Sequence, residues 1–103
     1  MLNYINFKNF NKKHKNNSYF IPIGENTYRF KVYWSDDCNC AFLSIYDYND
    51  KPIIMGRALV NNLIIRNFNL PYTFCFLHNN NETYEPTIDN IEKEYILFFE
   101  DGK

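Results

Sequence analysis

The chain has 103 residues, with 11 Lys+Arg against 12 Asp+Glu and a formal net charge of −1. A chain this long holds one domain with a modest core, able to bury roughly 60–65% of the surface its unfolded form exposes. An aromatic content of 19% with only 3 Gly and 4 Pro excludes a disordered or collagen-like chain, and no apolar run reaches the ~18 residues of a membrane span.

Residues 1–17 carry Lys8, Lys12, Lys13 and Lys15 and no acid, whereas the acids concentrate in residues 82–103. Leu2 to Phe10 is interrupted by Asn3, Asn6, Lys8 and Asn9, so it lacks the apolar centre of a signal peptide. The segment reads as an N-terminal extension, with helix possible over 1–13, ahead of a β domain at 18–103. Its opposite charge lets it meet the C-terminal acids of the same chain or of a neighbour.

The body reads as short strands. Tyr19-Phe20-Ile21-Pro22-Ile23 runs into the turn set Gly24-Glu25-Asn26. Tyr28, Phe30, Val32 and Trp34 alternate with Arg29, Lys31 and Tyr33, the period of a half-buried strand with Trp34 on its buried face. Cys40 to Tyr46 forms the next strand, between the turn clusters Ser35-Asp36-Asp37 and Asp47-Tyr48-Asn49-Asp50. Pro52 opens a run to Val60 in which Gly56 marks a bulge or bend. Asn61-Asn62 can turn the chain, because Asn tolerates positive φ. Leu63-Ile64-Ile65 fits a strand or one helical turn. Tyr72–Leu77 and Tyr95–Phe99 are the last strands, and Thr87 can cap a short helix over 87–93 with Asn90 in the place of the usual Glu or Gln. Turn signals at this spacing predict an all-β fold: a small single-domain sandwich or barrel of about six to eight short antiparallel strands, with at most short helices near the termini. The 17 Asn, scattered among apolar residues, read as compositional bias.

Chemistry-bearing patterns are sparse. Cys38-x-Cys40 and Cys75-x-x-His78 supply three sulfurs and an imidazole, but the spacing departs from zinc knuckles, so neither a metal nor another cofactor is expected. Three cysteines cannot close a disulfide set and are expected to be reduced. Ser18, Ser35 and Ser44 lack a nucleophile elbow, and no Gly-rich phosphate loop is present, so no catalytic residues and no enzyme activity are expected. A small β-barrel that binds single-stranded nucleic acid is the alternative, since aromatic faces stack bases. Its basic charge is confined to residues 1–17, and clustered cations are what such a groove needs, so nucleic-acid binding is not expected.

Three stretches go beyond generic pattern: Tyr28-Arg29-Phe30-Lys31-Val32-Tyr33-Trp34-Ser35, then Ala41-Phe42-Leu43-Ser44-Ile45-Tyr46-Asp47, then Pro52-Ile53-Ile54-Met55-Gly56-Arg57-Ala58-Leu59-Val60. In order and spacing they resemble the baseplate plug family of contractile-tailed phages, the cyanophage-type plug domain, over roughly residues 18–100. The sequence departs from the family pattern at Asp50-Lys51 before Pro52, at Phe42, at Asn61-Asn62 and at Asn79-Asn80-Asn81. The resemblance implies a structural component of a contractile phage tail or phage-tail-like bacteriocin baseplate, near the tail axis. Its implied partners are the tail hub, tail tube and other baseplate proteins, in a symmetric homo-oligomer within the particle, with no membrane involved. Assembly would be in the host cytoplasm without a signal peptide. Trp34, Pro52 and Gly56 are expected to be structural. Leu2, Tyr4, Ile5, Phe7 and Phe10 of the extension are expected to be protein-binding, reaching onto a neighbour.

Overall fold

A computed structural model describes residues 2–100, with Leu2 and Glu100 described by backbone alone. The elements in chain order are β1 (Leu2–Asn6), β2 (Asn16–Ile23), β3 (Asn26–Ser35), β4 (Cys40–Tyr46), β5 (Pro52–Ala58), β6 (Leu63–Ile65), β7 (Phe74–His78), α1 (Ile91–Glu94) and β8 (Tyr95–Glu100). Two four-stranded antiparallel sheets result, ordered β1-β8-β7-β6 and β2-β3-β4-β5. The expected all-β architecture is therefore the observed one, as a sandwich. Among the described residues no helix is long and apolar enough to cross a membrane.

β3 forms because its alternation lets one face leave water while the other stays wet. Tyr28, Phe30, Val32 and Trp34 are buried, and Arg29, Lys31 and Tyr33 point away from the core. Ala41, Leu43 and Ile45 of β4 extend that face. The second sheet answers with Phe74, Phe76, Leu97 and Phe99. The Phe30 and Phe74 rings meet edge to face across the sandwich, 5.4 Å between centroids, which adds to the area term for burying two large rings.

Turns rest on residues that tolerate a left-handed backbone. Asn9, Asn39, Asp50, Asn62 and Asn81 all have φ between 53° and 66°, positions where glycine is the usual choice. In a chain with only 3 Gly, asparagine takes over that task, so part of the Asn content has a structural role and is not bias alone. Gly56, at φ 61°, donates its N–H to Ser44 Oγ (2.9 Å) where the β4–β5 register shifts. The bulge bends the edge of the sheet there. Thr87 and Asn90 exchange reciprocal bonds, Thr87 N–H to Asn90 Oδ1 (2.7 Å) and Asn90 N–H to Thr87 Oγ1 (3.2 Å). Asn thus fills the capping-box role, ahead of a helix of four residues.

The first 17 residues are corrected by this structure: they are not an appendage to a domain beginning at 18. β1 pairs with β8 from Leu2↔Glu100 to Asn6↔Ile96. Phe7 and Phe10 are fully buried, and Ile5 is 6% exposed. The Phe7 ring lies 5.7 Å from that of Phe76 and 6.1 Å from that of Tyr19. Strand, not helix, is the outcome over Leu2–Asn6, because the β8 edge supplies the backbone partners that an isolated segment lacks. Electrostatic closure is within the chain. Glu92 accepts from the Asn9 N–H (2.9 Å) and Asn11 Nδ2 (3.2 Å), and Lys12 pairs with Asp89 at 3.2 Å.

Candidate functional site

Strands differ in how far their apolar pattern alternates. β3 alternates cleanly, but β6, β7 and β8 read Leu-Ile-Ile, Phe-Cys-Phe-Leu and Tyr-Ile-Leu-Phe-Phe. Continuous apolar runs belong to strands covered on both faces. The inner residues of these strands fill the core. The outer ones line up through the register: Tyr4, Phe98, Cys75 and Ile64 form one row across all four strands, with Asn6, Ile96 and Leu77 beside it. This row carries no charge, and Arg66, just past β6, borders it beside Ile64, Cys75 and Phe98. Tyr4 is 61% and Ile64 52% exposed, at its two edges. Burial raises the Cys75 thiol above its ordinary pKa, as an apolar setting disfavours the thiolate.

The face spans about four strand spacings of ~4.8 Å by five residues of ~3.3 Å, roughly 300 Å². That matches the largest patch found on ordinary monomers, which is often functional. The opposite sheet is different. Its outer surface mixes Phe20, Tyr33 and Phe42 with Arg29 and Lys31. Arg29 stacks 4.0 Å over the Tyr46 ring and pairs with Asp50 at 2.9 Å. Phe68, 94% exposed, stands apart in the loop between β6 and β7. There an Asx turn, Asn69 N–H to Asn67 Oδ1 (2.8 Å), shapes the chain.

The residues expected to anchor a neighbour separate into three groups. Ile5, Phe7 and Phe10 are corrected: they serve this chain's own core and are not free to bind. Tyr4 stays exposed on the apolar face. The side chain of Leu2 lies outside the described residues. Trp34 is 6% exposed within the core, Pro52 begins an edge strand, and Gly56 makes the bulge. Ile64, Ile96 and Phe98 were not singled out by the sequence reading, and Cys75 was weighed there only as a metal ligand. The missing alternation in β6–β8 is the signal that marks them.

Cys38 and Cys40 lie on the β3–β4 hairpin, far along the chain and in the other sheet from Cys75 and His78. Cys75 faces out and His78 faces in, so alternation parts even that pair. Among the described residues no group of three or more Cys, His, Asp or Glu could hold a metal ion.

His78, 2% exposed, belongs to a closed network. Its Nδ1 accepts the Asn80 N–H (2.9 Å), which leaves the proton on Nε2, 3.0 Å from both Glu94 Oε1 and Tyr84 Oη. Tyr84 also donates to Glu94. That bond pushes the Tyr84 hydroxyl up to about 12 and, with the His78 contact, holds the Glu94 carboxyl below its ordinary pKa. Glu92 is lowered by the Asn9 N–H and Asn11. The network secures the 79–90 loop to the end of the sandwich. Asn61 does the same from the other side, donating from Nδ2 to the carbonyls of Glu82 (2.7 Å) and Tyr84 (3.1 Å).

Both glutamates are depressed in the folded state, so their stabilisation is present above the unfolded carboxylate pKa and is lost as pH falls through the folded one. Melting temperature is therefore expected to hold between pH 7 and 5 and to drop below about pH 4.5. A Glu92→Gln/Glu94→Gln protein should start lower and lose less on acidification, as thermal melts at successive pH values would show. Parallel profiles for the two proteins would contradict the assignment.

Fold and surface together define a small two-sheet β-sandwich whose distinctive exposed chemistry is apolar sheet surface. The model of the family described as cyanophage baseplate Pam3 plug gp18 matches residues 3–102. The chain belongs to this family of phage baseplate plug proteins, a structural part of the virion tail. The match includes β1, in agreement with the packing. No curated protein matches the chain.

Proposed function

We propose that this chain is a non-catalytic component of the baseplate of a contractile phage tail or phage-tail-like bacteriocin. It sits near the tail axis against the hub and tube, and helps to close or assemble the distal end. Several copies follow the symmetry of the tail, and assembly takes place in the host cytoplasm. The observation that carries this reading is the family match over nearly the whole chain, joined by the apolar row Tyr4–Phe98–Cys75–Ile64 on the outer face of the β1-β8-β7-β6 sheet. Such a face gains free energy when a neighbour removes it from water. Phe68 is a second apolar anchor. Binding of single-stranded nucleic acid has less support, since Arg29 is committed to Asp50 and Tyr46 and Lys15 is committed to Asp36.

The face is tested by Tyr4→Lys/Ile64→Lys. Both positions are more than half exposed, so the isolated protein should keep its stability within about 0.5 kcal/mol per site. Particles purified from cells supplying only the variant should contain at least about tenfold less of it, because an interface core rejects unpaired charge. Undiminished incorporation would show that this face is not the docking surface.

A further inference from the structure

The sandwich has four edge strands, and three of them are defended. β2 contains Pro22, and β5 begins at Pro52, bulges at Gly56 and carries Arg57. β6 is three residues long. Proline, charge, bulges and shortness are the devices that keep an edge from recruiting another strand. β1, Leu-Asn-Tyr-Ile-Asn, has none of them: five residues, no proline, no charge and regular pairing with β8.

Beside that edge lies a groove of about 490 Å³ between β1 and β2. Ile5, Tyr19, Ile21, Ile23 and Phe99 give it apolar walls, and Asn3 and Asn6 add polar groups along the β1 side. Burial raises the Tyr19 hydroxyl to about 12. Tyr19 Oη donates to the Lys8 carbonyl (2.7 Å), which fastens the chain just after β1. Lys8 is the charged residue among the described groove lining.

We propose that β1 is a receiving edge, to which an extended segment of another baseplate chain adds as a fifth strand. The inference rests on the reading of the chain as a docking component, and it names the partner's form. The backbone edge calls for an extended strand, since only that shape satisfies a row of unpaired N–H and C=O groups. The apolar lining calls for alternate apolar side chains directed into the groove, and Lys8 calls for an acid on the segment. The added strand continues the row Tyr4–Phe98–Cys75–Ile64 across the outer face. The area argument points the same way. A face of roughly 300 Å² is well short of the ~800 Å² per partner of a stable interface, and strand addition supplies main-chain bonds that do not depend on area.

The test is electron cryomicroscopy of assembled baseplates containing the full chain, together with incorporation of Lys8→Glu and Lys8→Arg. The expected map shows backbone from a different polypeptide ~4.8 Å from β1, with a carboxylate at Lys8. Lys8→Glu should enter particles at least about tenfold less than wild type, and Lys8→Arg should restore entry. A strand from a second copy of this chain beside β1 overturns the proposal in favour of self-pairing. A bare β1 edge under a covered outer face overturns strand addition and leaves the docking reading standing. A bare edge and a bare face overturn both. Full incorporation of Lys8→Glu overturns the acidic partner.

Discussion

Deletion of residues 2–10 is expected to leave no folded domain. The segment supplies the whole of β1, and with it the β8 edge loses its backbone partners. It also removes Phe7 and Phe10, both fully buried, and Ile5. Truncating one buried Phe to Ala costs about 3–5 kcal/mol. Two such losses approach or exceed the ~5–15 kcal/mol that holds a domain of this size together, before any term for the unpaired strand. The purified truncated protein should show little near-ultraviolet circular dichroism and no cooperative melt. Phe7→Ala alone should fold with a lowered melting temperature, which makes the mechanism testable by degrees. A truncated protein that melts cooperatively near the wild-type temperature would show that residues 2–10 are an appendage after all.

Phe30→Ala should be the most damaging single substitution in the first-half sheet. Phe30 is fully buried, pairs with Tyr19 and Ile45 on its flanking strands and meets Phe74 across the sandwich. The expected loss is about 3–5 kcal/mol. At ~4–8 °C per kcal/mol for a domain near this size, melting falls by roughly 12–40 °C. Trp34→Ala acts on the same face near its end, where Trp34 retains 6% exposure. There the cavity opens toward solvent and can relax, so its cost should be the smaller of the two. Differential scanning calorimetry ranks them. A Phe30→Ala protein that melts within a few degrees of wild type would contradict the central placement of that ring.

Baseplate membership gives these stability terms a functional meaning. A domain of this size has a modest core, so contacts with neighbours can raise its stability noticeably. Contacts on the apolar row and at the β1 edge would add to its stability by mass action. The same groups that leave the isolated chain with exposed apolar surface are those a neighbour would cover.

Much of the fold was legible along the chain because it depends on local rules. The alternation in Tyr28–Trp34 marks a strand by itself, Gly56 inside an apolar run marks a bulge, and Thr87 with Asn90 marks a helix start. Each needs only residues within a few positions, and a period of two needs no partner to be seen. The lysines of residues 8–15 concealed β1. They are solvated and partly paired with Asp36 and Asp89, while Phe7 and Phe10 among them pass inward. Whether such a segment is tail or strand depends on β8, more than 90 residues away at the outer end of the register. The apolar outer face was hidden for the same reason. Tyr4, Ile64, Cys75 and Phe98 come from four separate stretches, and only strand register sets them in one row. The amino-acid sequence by itself determined the strand-rich class, the turns and the buried face of β3, since these follow from side-chain period and turn chemistry. Tertiary structure alone decided which apolar residues go inside and which remain on the outer face, because that choice is made by long-range pairing and not by hydrophobicity.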